Sequence, residues 1–282
     1  DVSGGEIWVN DIAFTADGVL LGCNKAVVKN SGDGDSWKIY KWATIDATPE
    51  LFAEIKSSEN LGNWENAVVG ESFTVSGKLN DLYVYTTTYS STVEAPVYRI
   101  AGMKFTNGVA STAVYAMNDD EYNSTNWGME PRLAITPYSR NNVLVDSYKM
   151  TPTEFTFDWT QSGVPMANYA TAPTSVLSNA SEGVAFFRYG TRIYAYAANK
   201  DDEGSLSAAI YDVSDSIKNM SIVSSVVPNG LKPEGYYNVG AELVDGEINL
   251  YSYIDRSGFT KYSIRVKEQE PSSNVDFALE LL

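Results

Sequence analysis

Three observations in this 282-residue chain predict an all-β fold built from repeated sheets. Strand-forming aromatics are abundant (19 Tyr, 10 Phe, 6 Trp), while 21 Gly punctuate short apolar runs. Asn10, Glu65, Glu130, Glu182 and Asn238 recur roughly 50–65 residues apart, a repeat-array period, and each precedes a β-like run: DIAF, NAVVG, PRLAI, GVAFF and VGAEL. Each repeat also divides into four strand-like segments. Four-stranded, all-β repeats of this length point to a β-propeller, since a β-helix needs shorter repeats and a sandwich shows no fivefold similarity.

The first repeat reads WVNDIAFT, GVLLGCN, SWKIYKW and ELFAEIK, with a tight turn at Ala16-Asp17-Gly18. The second reads ENAVVGESFTVSG, DLYVYTTT, APVYRIAGMKF and STAVYAM, turning at 77–81 and at Thr106-Asn107-Gly108. The third reads PRLAITPY, NVLVDSY, EFTFDW and VPMANYA, with Arg140-Asn141-Asn142 at its first turn. The fourth reads GVAFFRYG, RIYAYAAN, LSAAIYDV and MSIVSSVV; the fifth reads VGAELVDG, INLYSYID, FTKYSIRV and VDFALELL. These give one propeller domain over 1–282, with blades at 8–60, 61–120, 127–172, 180–230 and 236–282. Five repeats are visible with no leftover strand, and the chain opens abruptly on DVSGGEIW, so further N-terminal blades or a missing segment are expected before Asp1.

A content of 44% hydrophobic and 20% charged residues is that of a chain able to build a core. Thirty-six acidic against 20 basic residues give a net charge of −16, which repels nucleic-acid phosphates and anionic membranes. No apolar run reaches the ~18 residues of a membrane helix. The absence of histidine removes the commonest general base and zinc ligand, so any acid–base chemistry falls to carboxylates. The single Cys23, in VLLGCNK, reads as a small buried hydrophobe.

The segment VNDIAFTADGVLLGCN followed by SWKIYKW resembles a family of secreted or lipid-anchored β-propeller proteins of Bacteroidetes, of unknown function. The resemblance rests on Asn10, Asp11, Ile12, Asp17, Gly18, Cys23, Asn24, Lys38, Ile39, Tyr40, Lys41 and Trp42, and is sharp only over about the first 45 residues. It implies a propeller and an extracellular, outer-membrane or cell-surface location in a bacterium, and it transfers no catalytic residue.

Residues just before the first strand of each blade gather at the mouth of a propeller's axis. Asn10, Glu65, Glu130, Glu182 and Asn238 then form a ring of carboxylates and amides, beside Trp8, Trp64, Trp127, Tyr236 and Tyr237. Flat rings beside polar groups suit a glycan, whose C–H faces stack while its hydroxyls hydrogen-bond. The expected ligand-binding residues are Asn10, Trp64, Glu65, Trp127, Glu130, Glu182, Tyr237 and Asn238. The leading expectation is a non-enzymatic cell-envelope protein that binds a glycan or another protein. The alternatives are a glycoside hydrolase using Glu65, Glu130 and Glu182 as acid and base, and a structural assembly module. No cofactor is expected. The acidic loop Ser31-Gly32-Asp33-Gly34-Asp35-Ser36-Trp37 could attract Ca2+ but lacks the spacing of an EF-hand, and an ordinary hairpin is expected there.

Overall fold

Short apolar runs separated by Gly, Asn and Asp turns become antiparallel strands throughout. The computed structural model describes residues 9–29, 35–56, 66–90, 98–116, 132–135, 139–147, 150–157, 159, 168–171, 181–200, 206–226, 237–254, 258–266 and 277–280. The strands are β1 (Asp11–Phe14), β2 (Leu20–Cys23), β3 (Ala26–Lys29), β4 (Trp37–Trp42), β5 (Glu50–Ile55), β6 (Asn66–Lys78), β7 (Asp81–Ser90), β8 (Tyr98–Thr106) and β9 (Val109–Ala116). They continue with β10 (Arg132–Ile135), β11 (Asn142–Ser147), β12 (Met150–Thr156), β13 (Asn168–Thr171), β14 (Ser181–Tyr189), β15 (Arg192–Lys200), β16 (Leu206–Asp212) and β17 (Ser221–Val226). The last four are β18 (Tyr237–Val244), β19 (Glu247–Ile254), β20 (Gly258–Val266) and β21 (Phe277–Glu280). Among the described residues the one helical element is a 3-10 turn at Ile217–Asn219, and no helix is long and apolar enough to cross a membrane.

The strands form five sheets in chain order: β1-β2-β4-β5, β3-β6-β7-β8-β9, β10-β11-β12-β13, β14-β15-β16-β17 and β18-β19-β20-β21. β2 and β4 pair antiparallel, and the connection between them carries an extra strand: Ala26–Lys29 leaves the first sheet and pairs with Asn66–Val69 of β6. Ala26 and Val28 are buried there, and the pairing covers a strand edge that would otherwise expose unpaired N–H and C=O groups.

The chain divides into two compact units, Asp1–Val145 with Glu154–Tyr169, and Asp146–Thr153 with Ala170–Leu282. In the first unit, Leu21, Cys23, Trp37 and Ile39 of the first sheet pack against Val69, Phe73, Val84 and Met103 of the second. Trp37 is fully buried and meets Phe73 edge-on at 6.3 Å. The opposite face of the second sheet carries Tyr83 and Tyr85, whose rings lie 5.0 Å from Trp159 and Phe157 respectively. Gly102 makes room for that contact, since a Cβ would stand 3.2 Å from Phe157, Trp159 and Tyr85. Arg140 closes the end of this layer. It pairs with Asp81 at 2.7 Å, donates to the Asp81 carbonyl at 2.7 Å and covers the Tyr83 ring at 4.2 Å.

In the second unit, Tyr194, Tyr196 and Ile210 of β15 and β16 share a core with Ile248, Leu250, Tyr262 and Ile264 of β19 and β20. The Tyr196 hydroxyl meets the Ser252 hydroxyl at 2.7 Å inside it. Within each unit the first strands of neighbouring sheets are adjacent, β1 beside β6 and β14 beside β18. This adjacency of first strands decides where the functional residues fall.

Candidate functional site

The adjacency of β1 and β6 is made by two side chains at the start of the first sheet. Asn10 donates from Nδ2 to the Gly70 carbonyl at 2.7 Å and to the Glu71 carbonyl at 3.2 Å. Asp11 accepts the Phe73 N–H at 2.8 Å and the Ile12 N–H at 2.9 Å. Asn10 is exposed, so its carbonyl oxygen remains open to a ligand while its amide nitrogen holds the two strands together.

Opposite Asn10, β6 carries a bulge. Val69 pairs with Thr88 and Phe73 with Thr86, so Gly70, Glu71 and Ser72 together oppose the single residue Thr87. Gly70 adopts φ +86°, and a Cβ there would sit 2.2 Å from the Asn24 carbonyl, so only glycine fits. The ladder bonds lost at the bulge are replaced by buried hydroxyls. Thr86 Oγ1 accepts the Gly70 N–H at 3.2 Å and donates to the Ser72 carbonyl at 3.0 Å, and Thr87 Oγ1 accepts the Ser72 N–H at 3.0 Å. Bulges of this kind re-aim a side chain and are over-represented beside active sites.

The side chain presented here is Glu71. Its Oε1 accepts from Lys25 Nζ at 2.8 Å, and Lys25 also lies 6.0 Å from the Tyr89 ring. Its Oε2 is buried and has no hydrogen-bond partner among the described residues. A buried carboxylate oxygen without a partner calls for an explanation, and a water or a ligand hydroxyl would satisfy it. One oxygen of the carboxylate is thus held by a surface lysine, and the other is enclosed without a partner among the described residues.

The fourth sheet repeats the device. Ser181 pairs with Asn199 and Gly183 with Ala198, so Glu182 is the extra residue of a bulge in β14. Gly183 lies tight against the start of β18: a Cβ would be 3.3 Å from the Val239 nitrogen and 3.5 Å from the Asn238 Cα. In both units, then, a glycine at a first-strand bulge lies against the start of the neighbouring first strand, at Asn10 in one and Asn238 in the other. The structure places Glu182 at the bulge of β14, next to the Gly183 that packs on the start of β18, where Asn238 is exposed and Tyr237 is the first residue. It brings Asn10 to Glu71, a residue that the sequence reading did not select. Trp64, Glu65, Trp127 and Glu130 lie outside the described residues, as do the acidic runs at 31–34, 119–121 and 201–203. Among the described residues no three acidic or cysteine side chains come together as a metal site.

Cys23 lies beneath the same bulge, fully buried, with Sγ 4.0 Å from the Gly70 carbonyl. Burial pushes its thiol up to about 12, with the nearby Asp11 charge adding to the shift, so it packs as a small hydrophobe.

No protein-family model matches the chain, and no curated protein is similar to it. Solved structures are similar in fold. A DUF4623 family protein from Bacteroides eggerthii aligns with a TM-score of 0.61 at 11% identity, over 89% of this chain and 57% of its own. An exo-β-1,3-galactanase from Clostridium thermocellum aligns at 0.54 and 8%, over 98% of this chain and 63% of its own. A GH43 β-xylosidase/α-arabinofuranosidase from a compost microbial metagenome, in complex with xylotriose, aligns at 0.52 and 8%, over 98% and 95%. The chain thus spans less than two thirds of the first two.

At these identities the likeness concerns fold, and with the sheet order it makes the chain a β-propeller of four-stranded blades. The Bacteroides neighbour agrees with the family resemblance read at residues 10–42 as far as the propeller fold. The expectation of a non-enzymatic binding protein is corrected: apart from the Bacteroides protein, these fold neighbours are glycoside hydrolases, which favours the hydrolase alternative.

Proposed function

We propose that the chain is a glycoside hydrolase that cleaves a neutral glycan with carboxylates carried at the starts of its first strands. The observation that supports this most is the bulge in β6 that presents Glu71 beside Asn10, with one carboxylate oxygen buried and without a hydrogen-bond partner among the described residues. Glycoside hydrolysis needs two carboxyl groups, one to protonate the leaving oxygen and one to act as base or nucleophile. A chain without histidine has carboxylates to serve both roles. Glu65, Glu71, Glu130 and Glu182 are the residues from which the pair is drawn. Asn10, Trp64, Trp127, Tyr237 and Asn238 are assigned to the glycan, the amides to hydroxyls and the rings to C–H faces. The fold neighbours that act on galactan, xylosides and arabinosides support a glycan of that kind. The protein is placed outside the cell or on the cell surface of a bacterium, as a secreted or lipid-anchored single propeller.

The test is sugar release. Arabinoxylan, linear arabinan, β-1,3-galactan and aryl pentosides are incubated with the protein and with Glu65→Gln, Glu71→Gln, Glu130→Gln and Glu182→Gln variants. Reducing sugar should appear with at least one substrate, and two of the four variants should lose about 10²–10⁴-fold in rate, the usual contribution of a general acid or base. Release from none of the substrates, or full activity in all four variants, would sink the proposal.

A further inference from the structure

The far ends of β1 and β6 carry a feature that the reaction does not use. A groove of about 560 Å³ opens there between the first and second sheets. It is lined by Leu51, Phe52 and Leu79 together with the polar side chains of Asp17, Lys41, Asn80 and Asn107. We propose that this groove is a second site, which holds a stretch of neutral polysaccharide away from the reacting carboxylates.

The chemistry of the lining selects the ligand. Asn107 donates its backbone N–H to the Asn80 carbonyl at 3.0 Å, while neither side-chain amide makes a hydrogen bond among the described residues. Each amide offers both a donor and an acceptor to an incoming group. Asp17 Oδ1 accepts from Thr15 Oγ1 at 2.7 Å and from the Leu79 N–H at 3.1 Å, leaving Oδ2 as an acceptor. The Thr15 hydrogen bond holds this carboxyl below its usual range, so it is ionised at neutral pH and disfavours an anion. Lys41, beside it, is already paired with Glu50 at 3.1 Å. A single carboxylate with two amides falls short of the six or more oxygens of a calcium site. What remains is a ligand with hydroxyls along its edges and C–H faces for Leu51 and Phe52, which describes a polysaccharide chain.

The groove is also fixed before any ligand arrives. The Ala16 N–H donates to the Gly77 carbonyl at 2.8 Å, and with the Asp17–Leu79 bond it ties the first turns of the two sheets together. Asn107 and Gly108 both adopt positive φ, +51° and +79°, the signature of a tight type I′ turn that aims the Asn107 side chain. Prior order of this kind lowers the entropy lost on binding. The inference deepens the reading above, because an enzyme acting on a polymer gains effective concentration by holding the chain at a second point.

The test is affinity electrophoresis of the full chain in gels containing arabinoxylan, linear arabinan or β-1,3-galactan, with Asn80→Ala and Leu51→Ser as the variants. Asn80 is exposed and Leu51 is 52% exposed, so neither change disturbs the core. Wild type should be retarded by at least one polysaccharide. Each variant should weaken that retardation about tenfold or more in affinity, while keeping its melting temperature and its rate on a short aryl glycoside. Retardation by none of the polymers, or equal retardation of both variants and wild type, overturns the proposal. The two readings fail separately: Glu71→Gln should leave retardation intact, and a protein that releases no sugar yet needs Asn80 and Leu51 for retardation removes only the hydrolase reading.

Discussion

Replacing Thr86 by Val asks whether buried hydroxyls hold the bulge that presents Glu71. Thr86 is fully buried, and its hydroxyl serves two backbone groups, accepting from Gly70 N–H and donating to the Ser72 carbonyl. Val keeps the shape and removes both bonds. A buried polar group left without a partner costs about 1–3 kcal/mol, so two of them put the loss at about 2–6 kcal/mol. Thr86→Ser is the control, since it keeps the hydroxyl and removes one methyl, a loss of about 1 kcal/mol. At about 2–4 °C per kcal/mol for a chain of this order of size, Val should lower the melting temperature by about 4–24 °C and Ser by about 2–4 °C. Thermal unfolding followed by circular dichroism reads both. If the Val variant melts with or above the Ser variant, the hydroxyls do not support the bulge and the account of how Glu71 is placed is wrong.

Two further outcomes follow from groups whose environment is unusual. Cys23 is fully buried and its thiol is pushed up to about 12, so it should not react with a thiol reagent at pH 8 in the native protein and should react fully in denaturant; reaction at native-state speed would show the first two sheets to be open there. Asp81 and Asp212 have lowered folded-state pKa values. Asp81 is lowered by its hydrogen bond to Arg140. For Asp212 the opposing effect of burial is outweighed by hydrogen bonds from Ser214 and Arg192. The stability they add is present above the ordinary carboxylate pKa and is lost as pH falls through the lowered values. Acid titration of Arg140→Met should therefore show a shallower loss of stability below about pH 4 than wild type.

Much of the fold was legible in the sequence because its signals are local. Alternating apolar residues and turns such as Asn107-Gly108 and Asp245-Gly246 mark hairpins wherever they occur, and four strands per repeat follow from them. The strand Ala26–Lys29 was not legible, because four residues become a strand only when a distant edge, Asn66–Val69, is there to receive them. The same holds for the site. Asn10 and Glu182 stood out by spacing, whereas Glu71 depends on a bulge whose register is set by Thr86 and Thr87 across the hairpin. A faint signal was present: Gly70 interrupts the apolar run NAVVGESF, and an isolated glycine inside a strand pattern suggests a bulge. Spacing alone carried no preference between enzyme and binding protein; the glycoside hydrolases among the fold neighbours favour the first.

The core of the second unit offers a test of whether its two sheets are joined by chemistry as well as by packing. Tyr196 of β15 and Ser252 of β19 are both buried, at 0% and 2% exposure, and their hydroxyls meet at 2.7 Å. Burial raises the Tyr196 phenol to about 12, so it stays protonated and either hydroxyl can be the donor. Tyr196→Phe leaves the Ser252 hydroxyl in an apolar core, and Ser252→Ala leaves the phenol there, each at a cost of about 1–3 kcal/mol. The double variant removes both polar groups together. Its loss should be smaller than the sum of the singles by about 1–2 kcal/mol, the coupling expected of directly bonded neighbours. Urea unfolding of the four proteins measures it. Strict additivity would mean that the sheets are held by ring packing alone, with the hydroxyls satisfied elsewhere. Coupling of the expected size would make this bond a register pin, which fixes β15 against β19 and, through their partners β14 and β18, the first strands of the two sheets.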